Sequence, residues 1–127
     1  MVCGPWSIHM SNQSFGLLGQ NFAEKYLRGL GYKMIARNFN TRFGEIDLIA
    51  KDGDCFVFVE VKTRRDESFG APEEAVTKTK QRHLLAAAQI YLQRIRRPNA
   101  EWRVDVVALT GGGGDFAVNH LKNAVTA

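Results

Sequence analysis

The stretch Gly44-Glu45-Ile46-Asp47-Leu48-Ile49-Ala50, continued through Lys51-Asp52-Gly53-Asp54-Cys55 into Phe56-Val57-Phe58-Val59-Glu60-Val61-Lys62-Thr63, decides the fold. Two apolar runs of strand length flank a turn whose Asp and Gly supply local hydrogen bonds and positive φ, so the pair reads as a β-hairpin. Each run carries charges at i, i+2: Glu45 and Asp47 in the first, Glu60 and Lys62 in the second. Residues at that spacing project from one face of a strand. A carboxylate taken out of water without a partner costs several kcal/mol, so acids embedded in such runs point to a use, most simply a metal ion. The alternative, a solvated strand face, fits the second run poorly, because its neighbours are apolar on both faces as in a central strand.

Register sharpens the expectation. A two-residue Gly53-Asp54 turn sets Asp47 opposite Glu60 and Glu45 opposite Lys62. A turn centred on Asp52-Gly53 shifts the pairing by two and keeps all of them on one face. A one-residue slip sends Glu60 and Lys62 to the other face and removes the site.

Upstream, apolar residues at Leu18, Phe22, Ala23, Tyr26, Leu27 and Leu30 follow helical spacing from about Phe15, with Ser14 as a candidate cap and Gly31 as a stop. Lys33 to Asn40 reads as a first strand, and Asn40-Thr41-Arg42-Phe43-Gly44 as the turn into the hairpin. Downstream, Arg64 to Ala71 is a polar loop beside the carboxylates, and Pro72-Glu73-Glu74-Ala75 opens a helix. A longer helix over about Thr77 to Arg96 buries Leu84, Leu85, Ala88, Tyr91, Leu92 and Ile95 and stops before Pro98. Trp102 to Leu109 is a fourth strand. Gly111 to Gly114 is a flexible connection, and Phe116 to Val125 returns as a short strand or ordered arm. The order is α-β-β-β-α-β, an α/β fold whose mixed four- to five-stranded sheet is flanked by helices, with the long helix serving as the crossover between parallel strands.

With 127 residues, 45% hydrophobic and 24% charged, the chain has the size and composition of one globular domain. Residues 1–13 read as a disordered extension, with Met10 itself a natural start, and 14–127 as the single domain. Cys3 and Cys55 form no CxxC pair and no histidine stands at metal-ligand spacing, which argues against a disulfide scaffold or structural zinc. No apolar run is long enough to span a bilayer and no secretory signal is present, so a cytoplasmic protein is expected, without a membrane partner. The net charge of +4 hints at a polyanion. It gains meaning because the acids gather in the hairpin and at Glu73-Glu74, while bases gather at Arg64-Arg65 and Lys78-Lys80-Arg82. Arg42, Arg64, Arg65, Lys78, Lys80 and Arg82 are the candidates for holding phosphates. Arg94, Arg96 and Arg97 are better explained as a basic helix C-terminus. His83 is a candidate phosphate contact, and Phe43 and Phe69 candidate stacking residues, although surface and edge packing explain them more simply.

An acid, about a dozen residues, then Glu-x-Lys on the adjacent strand suits phosphodiester hydrolysis. Asp47 and Glu60, with the Val61 carbonyl as a further oxygen, would hold Mg²⁺ or Mn²⁺. Such an ion lowers the pKa of water and offsets charge on the phosphate. Lys62 would steady the attacking water or the phosphate, and Glu45 would orient Lys62.

These two strand motifs, together with Phe69-Gly70-x-Pro72, Lys80-Gln81-Arg82 and the tail His120-Leu121-Lys122-Asn123-Ala124, resemble the YraN-like family of small bacterial proteins over about Gly16 to Val125. That family is assigned to the PD-(D/E)XK nuclease superfamily and is similar to archaeal Holliday-junction resolvases. The resemblance implies a restriction-endonuclease-like core, a metal-dependent endonuclease acting on DNA, with branched DNA a candidate substrate, and a homodimer where paired cuts are needed. It gives Asp47, Glu60 and Lys62 the metal and catalytic roles and places Gln81 at the site. One position departs from the family pattern, Gly-Glu-x-x-Ala-x-x-Tyr-Leu, because here the helix reads Gly19-Gln20-Asn21-Phe22-Ala23-Glu24-Lys25-Tyr26-Leu27. Gln20 stands where a metal-binding carboxylate is expected, with Glu24, one turn on, as a candidate substitute. A nucleic-acid-binding module with weak or lost catalysis is therefore the competing expectation.

Overall fold

The computed structural model describes residues 12–66, 76–112 and 115–125. The expected extension up to residue 11, the helix opening at Pro72-Glu73-Glu74-Ala75, and Phe69-Gly70 lie outside the described residues. In chain order the elements are α1 (Asn12–Gly29), β1 (Lys33–Thr41), β2 (Gly44–Asp52), β3 (Cys55–Arg64), α2 (Lys78–Arg94), β4 (Trp102–Gly112) and β5 (Asp115–Val125). The strands form one sheet in the order β1-β2-β3-β4-β5, antiparallel throughout except for the parallel β3–β4 pair that α2 connects. This is the mixed α/β sheet expected, with the tail as a full fifth strand.

Each helix covers one face. The apolar stripe of α1, with Phe15, Ala23 and Leu27, packs on Leu48, Ala50, Val57, Val59, Val107 and Leu109. Leu84, Ala87, Ala88, Tyr91 and Leu92 of α2 pack on Ile46, Ile49, Phe56, Phe58, Val104 and Val106. Burial on both sides is why β3 and β4 read as nearly continuous apolar runs. Among the described residues no helix is long and apolar enough to cross a membrane.

Local chemistry sets the boundaries. Helix α1 begins ahead of Ser14, which lies within it, and ends with Gly31 in the left-handed region at φ 94°. The Gly31 N–H donates to Arg28 O and the Tyr32 N–H to Leu27 O, a Schellman ending. At the start of α2 the Thr77 hydroxyl accepts from the Lys80 N–H at 3.1 Å. Gly19 is the close-approach point of α1, since a Cβ there would run into the Thr63 side chain on β3.

The hairpin turn is Gly53-Asp54, with Asp52 paired to Cys55 and the ladder running to Leu48 opposite Val59. This register, extended, sets Asp47 opposite Glu60, but the regular ladder stops there. Ile46 faces α2 whereas Leu48 faces α1, so the alternation of β2 breaks at Asp47. The neighbouring strand breaks at the same level. Arg37 reaches Asn21 and Glu24 on α1, whereas Phe39 packs on Tyr91 of α2. Asn38 between them has φ 52°. A left-handed residue inside a strand rotates the chain beyond it, and Asn tolerates that conformation better than other side chains with a Cβ. The β1–β2 ribbon therefore twists at Asn38 and Asp47 together.

Candidate active site

The twist brings Asp47 to the wall of a pocket of about 550 Å³ at the end of the sheet, lined also by Gln20, Val61, Lys62, Arg64 and Arg65. Asp47 replaces the missing ladder bond with its own side chain, Oδ2 accepting from the Val61 N–H at 2.8 Å. One carboxylate oxygen thus ties β2 to β3.

Glu60 projects from the opposite face of β3 from Val61, toward α2. It is 4% exposed, its Oε2 lies 3.7 Å from Lys80 Nζ, and its buried Oε1 has no hydrogen-bond partner among the described residues. Burial, and then the negative charge of Asp47, push its carboxyl up to about 7, against the pull of Lys80 and Lys62. Burial likewise raises Asp47; the Val61 N–H counters this, Glu45 adds to the rise, and Lys80 and Lys62 lower it. The acids and lysines therefore share one electrostatic neighbourhood although they stand on differently facing parts of the strands. Groups in such surroundings, in a cleft, are functional-site candidates.

The structure sorts the other expected residues. Lys62 lines the pocket with Arg64 and Arg65, the latter with its guanidinium 4.4 Å from the Phe15 ring centre. Lys80, read from sequence as a phosphate contact, meets Glu60 instead. Gln81 donates to the Val76 carbonyl at 3.1 Å and so anchors the segment entering α2. Arg42 lies over the Phe43 ring in the β1–β2 turn, Lys78 is exposed, and Arg82 donates to Thr79. None of these three lines the pocket. Glu24 is engaged by Arg28 and Arg37 and does not line it either. Glu24, the candidate substitute for Gln20, is thus held by these two arginines one turn along α1.

Gln20 is 8% exposed and is held by Asn38: Gln20 Nε2 donates to Asn38 Oδ1 at 2.9 Å, and Asn38 Nδ2 donates back to Gln20 Oε1 at 3.2 Å. Asn38 was missed in the sequence. Its only signal is an Asn in the middle of a strand, in Arg37-Asn38-Phe39-Asn40. A second polar centre was also missed. Asp105 on β4 is fully buried and accepts from Arg103 Nε at 2.9 Å and from the Asn123 N–H at 2.9 Å, with His120 Nε2 2.8 Å away. Arg103 continues to the Tyr32 hydroxyl and to Asp52. This network fastens the irregular end of β5, where Asn123 has φ 51° and the β4–β5 register shifts. An acid inside Val104-Asp105-Val106-Val107 is the same signal that marked Asp47 and Glu60.

Among the described residues no group of three or more His, Cys, Asp or Glu side chains is arranged to hold a metal. Magnesium does not require one, since it is commonly bound through one or two carboxylates, with waters and substrate phosphate completing its shell. The Glu60 oxygen left unpartnered among the described residues and the Asp47 carboxylate, which act on each other by charge, are hard-oxygen donors of the kind such an ion takes.

The fold and site thus define a small α/β protein with a twisted mixed sheet and, at one end, a cleft whose wall carries Asp47, Lys62, Arg64 and Arg65. The chain belongs to the uncharacterised protein family UPF0102, whose model matches residues 19–109. It is 48% identical over 113 residues to a UPF0102 protein of Syntrophomonas wolfei, covering 89% of this chain and 98% of that protein. It is 50% identical over 113 residues to one of Symbiobacterium thermophilum, covering 88% and 96%, and 47% identical over 117 residues to one of Caldicellulosiruptor saccharolyticus, covering 91% and 99%. The YraN-like resemblance drawn from the strand motifs is this family.

Proposed function

We propose that the protein is a metal-dependent endonuclease of the PD-(D/E)XK type acting on DNA, with branched molecules among its candidate substrates. The observation that supports this reading most is Glu60, a buried carboxylate with one oxygen unpartnered and its proton held up to about 7, coupled by charge to Asp47 on the pocket wall. A buried carboxylate oxygen without a partner calls for one, and a bound cation is the partner this reading supplies. Asp47 and Glu60 would hold Mg²⁺ or Mn²⁺, which supplies Lewis acidity toward a phosphate oxygen and a lowered water pKa. Lys62, lining the pocket, would orient the phosphate or the attacking water, while Arg64 and Arg65 would grip the flanking backbone.

One observation favours a second reading, a nucleic-acid-binding module with weak or lost catalysis. Gln20 supplies a neutral amide where the pocket wall could offer a third carboxylate, and Asn38 holds it there. Nicking assays on linear, flapped and four-way DNA with Mn²⁺ separate the two. The enzyme reading expects cleavage by the wild type, loss with Asp47→Ala, and an increase with Gln20→Glu. The module reading expects binding that persists in EDTA and in Asp47→Ala, without cleavage by any form.

A further inference from the structure

Lys80 reaches Glu60 from the solvent side. Its side chain is 39% exposed against 6% for that of Glu60, and the separation of 3.7 Å is longer than a charge-assisted hydrogen bond. The backbone of Lys80 is fixed in the first turn of α2 by the Thr77 cap, whereas the side chain is a flexible stem with a compact charge. The carboxylate it meets is buried, and its other oxygen has no partner among the described residues. Lys62, which lines the pocket with Arg64 and Arg65, also acts by charge on the same acids. One partner of the Lys80–Glu60 pair is therefore free to leave and the other is not.

We infer that Lys80 is a displaceable counter-ion. It neutralises Glu60 in the metal-free protein, gives way when a divalent cation takes Asp47 and Glu60, and then turns to a backbone phosphate of the nucleic acid. This inference rests on the proposed metal site. It reconciles the contact with Glu60 with the place of Lys80 in the basic first turn of α2, beside Lys78 and Arg82, where helix geometry favours anions. A cation beside the carboxylates opposes a divalent ion by charge repulsion, so removing it tightens metal binding. Removing it also takes one phosphate contact from the nucleic acid.

The test is calorimetric titration of Mn²⁺ at pH 8.5 into wild type, Lys80→Met, Lys80→Gln, Lys80→Arg and Asp47→Ala, with folding of each confirmed by circular dichroism. Affinity for a short duplex is measured in parallel in Ca²⁺. The neutral Lys80 variants are expected to bind Mn²⁺ about tenfold more tightly and the duplex about fivefold more weakly. Lys80→Arg is expected to stay within about threefold of wild type on both counts. Unchanged or weaker Mn²⁺ binding by the neutral variants, with Asp47→Ala still abolishing it, overturns the displaceable role and leaves the metal site standing. Tighter Mn²⁺ binding with undiminished duplex affinity overturns the transfer to phosphate. Absence of Mn²⁺ binding by the wild type overturns the metal reading itself.

Discussion

Gln20 and Asn38 exchange two hydrogen bonds, amide to amide, between α1 and the twisted middle of β1. The pair stands at the level where β2 turns Asp47 into the pocket, and Asn38 holds φ 52° there. The left-handed backbone and the amide pair are separable by substitution. Asn38→Gly keeps the backbone conformation and loses the bonds, for an expected cost of about 1 kcal/mol. Asn38→Val loses the bonds and forces a β-branched residue to positive φ, for an expected cost of about 2–4 kcal/mol. Urea unfolding of both variants checks the order; equal losses would show that the twist does not depend on Asn38.

The carboxyls of the site make the metal-free protein pH-sensitive in an uncommon direction. Glu60 is raised from 4.5 to about 7 by burial and by Asp47, so the unfolded chain releases its proton before the folded one does. Its contribution is fully favourable below pH 4.5 and is lost as pH rises toward 7, and Asp47, raised by burial, acts in the same sense. Thermal unfolding in EDTA should therefore show stability falling across that window, by up to about 3 kcal/mol from Glu60. Glu60→Gln should flatten the profile and raise the melting temperature at pH 8. A melting temperature that rises steadily from pH 5 to pH 8 would contradict the placement of Glu60.

Close packing of α1 on β3 at Gly19 predicts a contrast between two helix glycines. Gly19→Ala would drive a methyl into Thr63 beside the pocket and should cost about 1–3 kcal/mol by overpacking. Gly16→Ala meets nothing within 4 Å and should gain about 0.5–1 kcal/mol from helix propensity. Denaturant midpoints of the two variants should move in opposite directions.

Asp105 holds Arg103, His120 and the Asn123 backbone around β5. Asp105→Ala takes the shared acceptor from Arg103, His120 and the Asn123 N–H while leaving Arg103 its Asp52 partner, and should cost about 2–4 kcal/mol. Hydrogen exchange should show the loss first in residues 119–125, with the β2–β3 hairpin still protected. Uniform loss of protection across the sheet would show that the network supports the whole core.

Most of the fold is legible in the sequence because it rests on local signals. The Gly53-Asp54 turn fixes the hairpin register, the stripe of α2 forces a crossover, and Gly31 closes α1. What escaped depends on long-range partners or on one backbone angle. Strict alternation through β1 and β2 is the natural reading, and a register shift between Met34 and Ala36 and the positive φ of Asn38 break it. Lys80 reads as a surface base until α2 is laid across the sheet and its amine meets Glu60. Asp105 sits in a valine run, and its partners come from β4 itself and from the tail, expected as a short strand or ordered arm, whose register no local signal fixes.

Metal-dependent cleavage through Asp47 and Glu60 is decided by nicking of supercoiled plasmid at pH 8 with Mn²⁺, comparing wild type with Asp47→Ala and Glu60→Gln prepared identically. Relaxed product is expected from the wild type, none in EDTA, and a loss of at least about 100-fold in either variant. Relaxed product formed equally by the variants, or none from a wild type shown to be folded and to bind Mn²⁺, would contradict it.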